Sequence, residues 1–353
     1  MYSQEDIRSA VAAGAISQDA ADALRHHVAA SREAVPADAE HFRLITGFND
    51  IFVTIGIVIM LVAAAAIGME LAGDTVASIL VAGTAWGLAE FFTRKRRMAL
   101  PSIVLLLSFL GGIYVAMMTG LEDAFYTMQN DSTGALLIAA VALVTTGAAW
   151  LHWRRFMVPI TIAAGTAAAA GTIISLIMAL LLAAGLPEMT TFLTLVFMAG
   201  LAVFAFAMRW DIGDPARETR RSDVAFWLHL LAAPMLAHPL FSLIGVTGGV
   251  IGIPAAIGVL VIYVAFGMVA LAVDRRALLV SALAYVLFAL AFLLERFGAV
   301  ELAFALTALV IGSALLTLSA FWSPIRRVVV QMLPENWQKL LPATLDEREP
   351  IPA

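Results

Sequence analysis

Uncharged apolar runs long enough to cross a bilayer recur along almost the whole chain, and they constrain its fold more than any other feature. A hydrocarbon core about 30 Å thick takes roughly 20 residues of helix at 1.5 Å each. Such runs lie near 50–69, 75–93, 101–120, 133–151, 189–208, 224–244, 248–273, 277–294 and 300–321. Phe156 to Leu186 forms one further uncharged stretch of 31 residues. As helix it would be about 46 Å long, too long for one upright span and short for two.

Composition agrees. Of 353 residues, 62% are hydrophobic and 13% charged, against roughly 25% charged in a soluble domain. A mean hydropathy of +0.94 requires lipid as solvent for much of the surface. The net charge of −5 is too small to point to a partner, and no nucleic-acid-binding pattern is present. Cysteine is absent, which excludes disulfides, thiolate nucleophiles and cysteine-ligated iron–sulfur or c-type haem groups. The first 30 residues contain acids, glutamines and histidines, so no secretory signal is expected there. The first span then acts as its own insertion signal.

The positive-inside rule sets the parity of the long stretch. Basic clusters fall at Arg94–Lys95–Arg96–Arg97, Arg154–Arg155, Arg217–Arg220–Arg221, Arg275–Arg276 and Arg326–Arg327. If 156–186 crosses once, all five lie on the side of the N-terminus and Arg296 alone of the 21 Lys and Arg residues lies opposite. A double crossing would move three clusters to the far side. The expectation is therefore an all-α membrane protein of ten transmembrane helices with both ends in the cytoplasm. The surplus length of 156–186 has two readings. One is a long, tilted helix packed through the small residues of 163–172. The other is a broken segment hinged at Gly165 or Gly171, of the kind that lines transporter sites.

Two stretches resemble each other. Asp50 and Asp223 each open a span, RRMALPSIVLLLSF from Arg96 parallels RRALLVSALAYVLF from Arg275, and AAWLHWRR answers SAFWSPIRR. Ser102 then matches Ser281 and Phe109 matches Phe288. Two parallel four-helix repeats, 50–155 and 223–327, joined by a central hairpin 156–209, would explain this. Positive-inside selection on a Leu/Ala-rich chain would imitate it. The domain plan is 1–44 as a cytoplasmic helical hairpin and linker, 45–327 as the transmembrane domain, and 328–353 as a cytoplasmic interfacial helix and tail.

Within 1–44, Ser3 and Ser17 have the chemistry of helix N-caps and Gly14 that of a stop. At the other end Pro334 and Pro342 bracket a short segment with Trp337, Leu340 and Leu341 on one face, which reads as an interfacial helix. The phrase AVAAGAISQDAADAL (10–24), followed by ten spans and a closing LPENWQKLLP, resembles a bacterial family of membrane proteins catalogued as domain of unknown function 2157. The resemblance implies a bacterial inner-membrane protein and brings no activity or site residues with it.

No nucleotide-binding loop, metalloprotease helix, nucleophile elbow or paired-carboxylate motif is visible. No catalytic residue, metal site or cofactor is expected. Polar groups at membrane depth are the remaining candidates. The seventh span, DVAFWLHLLAAPMLAHPLFSLIG, holds Asp223, His229, His238, Pro234 and Pro239. Histidine titrates near neutral pH, and each proline frees a carbonyl and bends the helix. The functional reading is a proton-linked or ligand-binding helix; the bland one is two neutral histidines satisfying freed carbonyls. Nine residues of helix turn about 900°, which puts the histidines on opposite faces and speaks against a shared metal or haem. Glu90 has the spacing of a helix-end ion pair with Arg94. Trp150, His152 and Trp153, and Trp322, read as interfacial belts.

Three functions remain open. The first is transport of a small solute or ion, proton-linked through the seventh span. The second is a structural, assembly or regulatory role in the envelope. The third is a membrane-embedded enzyme or haem protein using His229 and His238. The lipid bilayer is the certain partner, with a second copy or another membrane protein as further candidates. A polar cavity reaching His229 or His238 would favour the first or third; a solid bundle with a surface groove would favour the second.

Overall fold

The computed structural model describes residues 11, 13, 14, 16–23, 48–127, 131–186, 189–215, 217, 219–245, 252–296, 303–338 and 340–342. The chain divides into two compact units, Met1–Phe42 and Arg43–Ala353. In the first, Gly14 stands at φ 69°. Its N–H bonds the Val11 carbonyl at 3.0 Å. The Ser17 hydroxyl accepts from the Ala20 N–H at 3.1 Å, which makes Ser17 the expected N-cap. Ser3 and the linker after residue 23 lie outside the described residues, as do 343–353.

The described part of the second unit is all helix and connection. It comprises α1 (Phe48–Ala89), α2 (Ala99–Gly120), α3 (Glu122–Thr127), α4 (Asp131–Phe156), α5 (Ile160–Ala183), α6 (Met189–Ile212), α7 (Arg220–Leu243), α8 (Ile253–Val273), α9 (Ala277–Arg296), α10 (Ala303–Ala320), α11 (Trp322–Gln331) and α12 (Glu335–Gln338). Among the described residues eight helices are long and apolar enough to cross a membrane, or nine if α10 and α11, bent by 75°, count as one span. The first of the eight, 48 residues to Lys95, doubles back on itself. Ala72 (φ −161°, ψ 30°) and Gly73 (φ 79°, ψ −164°) leave the helical region. A Cβ on Gly68 would stand 2.3 Å from the Ala77 Cα, although nine residues of straight helix would hold those positions about 13 Å apart. Counting both arms, 48–71 and 74–95, the described residues make up to ten traverses. This is a multi-pass membrane protein.

Lipid-facing surface runs along these helices: Phe52, Ile59, Leu180 and Leu316 are 69, 64, 72 and 74% exposed. Small residues allow the close contacts. A Cβ on Gly112 of α2 would meet the Ser78 carbonyl oxygen at 2.7 Å, and Thr75 donates to Thr119 at 2.8 Å. The second arm of α1 therefore packs antiparallel to α2. A Cβ on Gly200 of α6 would likewise stand 3.0 Å from Met235 of α7.

The stretch 156–186 is a single crossing, and its surplus length is absorbed at its ends. Phe156 still belongs to α4, and Met157 turns at φ 55°. The helix itself is 24 residues, about 36 Å. The alternative of a hinge at Gly165 or Gly171 is corrected: α5 is continuous through both. They pack instead, with added Cβ atoms 3.2 Å from Ala149 and 3.8 Å from Ala142 of α4.

α7 is the most enclosed span, with 56% of its apolar window buried. Ala225, Ala232, Ala233 and Ala237 are essentially inaccessible; Ala232 packs in a cluster with α5 and α6, and Ala233 and Ala237 in clusters with α8 and α9. A helix shielded by other helices needs less apolar surface than one facing lipid, which accounts for its polar content.

Two aspects of the C-terminal reading need correction. The amphipathic helix at the end of the last span is α11, ahead of Pro334, while α12 is only four residues long. Trp322 is no belt residue but buried, as are Val329 and Val330. Trp337 and Leu340 remain exposed. The positions paired in the proposed repeat have different surroundings, since Phe109 is buried and Phe288 is 69% exposed.

Candidate ionic site at the basic end of α6 to α11

The connections carrying the basic clusters gather at one end of the bundle. Trp153 at the close of α4 packs with Ala163, Val203, Ala207, Val224 and Leu228 of α5, α6 and α7. Glu90, expected to pair with Arg94, does so at 3.3 Å. It also takes a bidentate bond from Arg155 of α4 at 2.6 and 2.9 Å, which ties the second arm of α1 to α4.

The deepest charges lie in the second half. Asp211, in the last turn of α6, is 2% exposed. A carboxylate at a helix C-terminus opposes the macrodipole, and burial in apolar surroundings adds a desolvation cost. Two donors answer it. Arg275, between α8 and α9, donates through Nη2 to Asp211 Oδ1 at 2.6 Å and through Nε to Oδ2 at 3.4 Å. His229, one turn beyond Ala225 in α7 and fully buried, reaches Oδ2 through Nε2 at 2.9 Å. Because a carboxylate only accepts, His229 Nε2 carries the hydrogen. Arg275 also bonds the Ser222 carbonyl at 3.1 Å. One carboxylate thus joins α6, α7 and the α8–α9 connection. Phe204 closes against the His229 ring, centroids 5.1 Å apart.

Beside it lies a second cluster. Asp274 ends α8 in the left-handed conformation (φ 56°, ψ 47°). Its carboxylate accepts from Arg217 Nη1 at 2.9 Å and from Trp322 Nε1 at 2.7 Å, with Arg326 Nε 3.8 Å away. Arg217 further caps the α8 carbonyls of Val273 and Asp274 at 3.1 and 3.3 Å, where the helix dipole favours a cation. Burial, with the Arg275 cation second, lowers the Arg217 pKa to about 10, against the pull of Asp274 and Asp211. It stays charged at neutral pH. Arg326 holds the Pro342 carbonyl at 2.6 Å, and the Arg276 guanidinium stacks 4.9 Å over Trp322. Asp214 binds the Thr219 N–H and hydroxyl at 2.9 and 2.7 Å, fixing Thr219 as the N-cap of α7.

Of the five residues expected on the seventh span, His229 enters this site. His238 is exposed, bonded through Nδ1 to the Tyr285 hydroxyl at 2.6 Å. Pro234 is exposed and Pro239 buried, and both lie within a helix assigned without a break. Asp223 is half-buried in the first turn of α7. The histidines do face different surroundings. His152 is no belt residue but 1% exposed, enclosed by Trp86, Phe109 and Phe156 with Nδ1 3.2 Å from the Thr161 hydroxyl. Trp150 does remain exposed, under Arg154 at 5.0 Å.

Asp211 and Asp274 escaped the reading of the sequence. Each is an acid set in or directly after the last apolar turn of a span, in RWDIGD and AVDRR, at an end otherwise rich in cations. That position was the available signal.

Two clefts accompany the site. One of about 440 Å³ opens at the other end of the bundle between α4, α5 and α6. One of about 150 Å³ lies between α9 and α10. Neither is lined by His229 or His238. Among the described residues no group of three His, Asp or Glu side chains is placed to hold a metal ion. No protein-family model, curated protein or solved structure matches this chain.

Proposed function

We propose that this protein is an inner-membrane carrier of a small solute, in which the Asp211–His229–Arg275 cluster is a charged latch closing the basic, cytoplasmic end. The observation that carries the reading is a fully buried carboxylate shared by a guanidinium and an imidazole from two other segments. Charges at membrane depth are costly and usually serve a pathway. A latch of ion pairs at one end and a cleft open at the other is the arrangement alternating access requires of one of its states. α6 spans both, carrying Phe192 at the cleft and Asp211 at the latch. A proton link would run through His229, the imidazole that this latch holds against Asp211.

Orientation follows from the basic clusters. Reporter fusions after Arg97, Arg155, Arg221 and Arg276 are expected to report cytoplasm, and one near Asp131 the periplasm. A periplasmic signal at Arg221 would contradict the inside location of the latch.

Natural absence of cysteine makes the latch testable. A single Ser175→Cys in the cleft is labelled with a membrane-impermeant maleimide, alone and with Asp211→Asn plus Arg275→Gln. The neutral pair keeps hydrogen bonds while removing the charges. If the latch holds the outward-open state, its loss shifts population inward and slows external labelling by about threefold or more. An unchanged rate with a folded protein would mean that the cluster only holds helices together.

That second reading, a structural or regulatory envelope protein, has one observation in its favour. His229 is fully buried, as are Ala225, Leu228, Ala232 and Ala233 beside it along α7, and it lines neither of the two clefts described. The enzyme or haem reading has the least support, because the two histidines are engaged by separate partners, Asp211 and Tyr285.

A further inference from the structure

We propose that the cleft between α4, α5 and α6 binds a lipophilic organic cation. This names the substrate class for the carrier reading, on which it rests for transport but not for binding.

The cleft has about 440 Å³ of room, within the roughly 300–1,000 Å³ of small-molecule sites. Its walls are apolar and aromatic: Phe125 from α3, Ile138 from α4, Met178 from α5 and Phe192 from α6. The polar side chains are Asp131 and Ser175, and among the described lining residues none is basic. Asp131 is the first residue of α4, where the helix dipole favours the ionised carboxylate. Asp131 is exposed and presents its charge to the cleft that it lines. Aromatic rings attract cations through their negative faces, and methionine adapts to irregular apolar shapes.

The surroundings have the same sign. Glu70, Asp74, Glu122 and Glu295 lie at this end of the bundle, and Arg296 is the basic residue that accompanies them. An anionic solute would meet like charge. A small inorganic cation would find one carboxylate and one hydroxyl where six or more oxygens are usual. A lipid chain would use the apolar wall and leave the carboxylate without a role. A cation whose charge is spread over an apolar body satisfies both wall and carboxylate.

The test uses the full-length protein in nanodiscs with tetraphenylphosphonium as probe and tetraphenylborate, of matching size and opposite charge, as control. Saturable binding of the phosphonium is expected, with Asp131→Asn weakening it about fivefold, Asp131→Glu staying within about twofold, and Ser175→Trp abolishing it by filling the cleft. Tetraphenylborate should not saturate. Equal phosphonium affinity in Asp131→Asn, or saturable tetraphenylborate binding, would overturn the proposal and leave a site filled by lipid or by partition alone. Failure here is separable from failure of the carrier reading. Phosphonium binding without uptake in proteoliposomes would keep the site and remove transport. Uptake of some other solute without phosphonium binding would keep transport and remove the site.

Discussion

Replacing Asp211 with alanine is expected to destabilise the protein by about 3–5 kcal/mol, because it strands a buried guanidinium without its counter-charge. Arg275 keeps its bond to the Ser222 carbonyl, and His229 loses the acceptor of its Nε2–H. The measurement is thermal unfolding in detergent, read by helical signal and by monodispersity on size exclusion. The single variants Asp211→Ala and Arg275→Ala should both fall steeply. Asp211→Asn combined with Arg275→Gln should recover much of the loss, since removing both charges leaves neither uncompensated. His229→Gln should cost little, because its amide still donates to Asp211. If Asp211→Ala melts with the wild type, the carboxylate is not the joint between α6, α7 and the α8–α9 connection that its geometry indicates.

Gly68 predicts an effect of similar size from a different cause. A methyl group there would sit 2.3 Å from the Ala77 Cα and 2.6 Å from its nitrogen, both main-chain atoms that cannot rotate away. The two arms of α1 would have to separate, and overpacking of that kind costs about 1–3 kcal/mol and occasionally more. Gly68→Leu should be worse than Gly68→Ala. Gly56→Ala and Gly83→Ala in the same helix are the controls, since nothing lies within 4 Å of an added Cβ. They should be neutral or slightly stabilising through helix propensity. Equal melting temperatures for Gly68→Ala and Gly56→Ala would show that the arms do not approach so closely.

The number of traverses and the single crossing of 156–186 were legible because they depend on one-dimensional quantities. Apolar run length is set by bilayer thickness, and basic residues mark the connections of one side. Gly14 and Ser17 were legible for a local reason, as a left-handed stop and a hydroxyl cap act within four residues. His229 was visible as a polar group in an apolar run. Its partner was not, since Asp211 lies 18 residues earlier, across a connection and on another helix. The same holds for Arg275 and for Trp322, which composition placed in an interfacial belt and packing placed against Asp274.

Glycine shows the division most plainly. Gly165 and Gly171 have the local composition of a hinge, yet α4 presents Ala149 and Ala142 to them and the helix runs straight through. Gly73, in the gap between the apolar runs 50–69 and 75–93, is where the chain reverses. Local chemistry determined which segments are helical and which must cross the membrane. Which buried charge meets which, and which small residue serves packing rather than bending, was decided by neighbours distant in the chain. Those energies belong to pairs of helices and exist only once the bundle has formed.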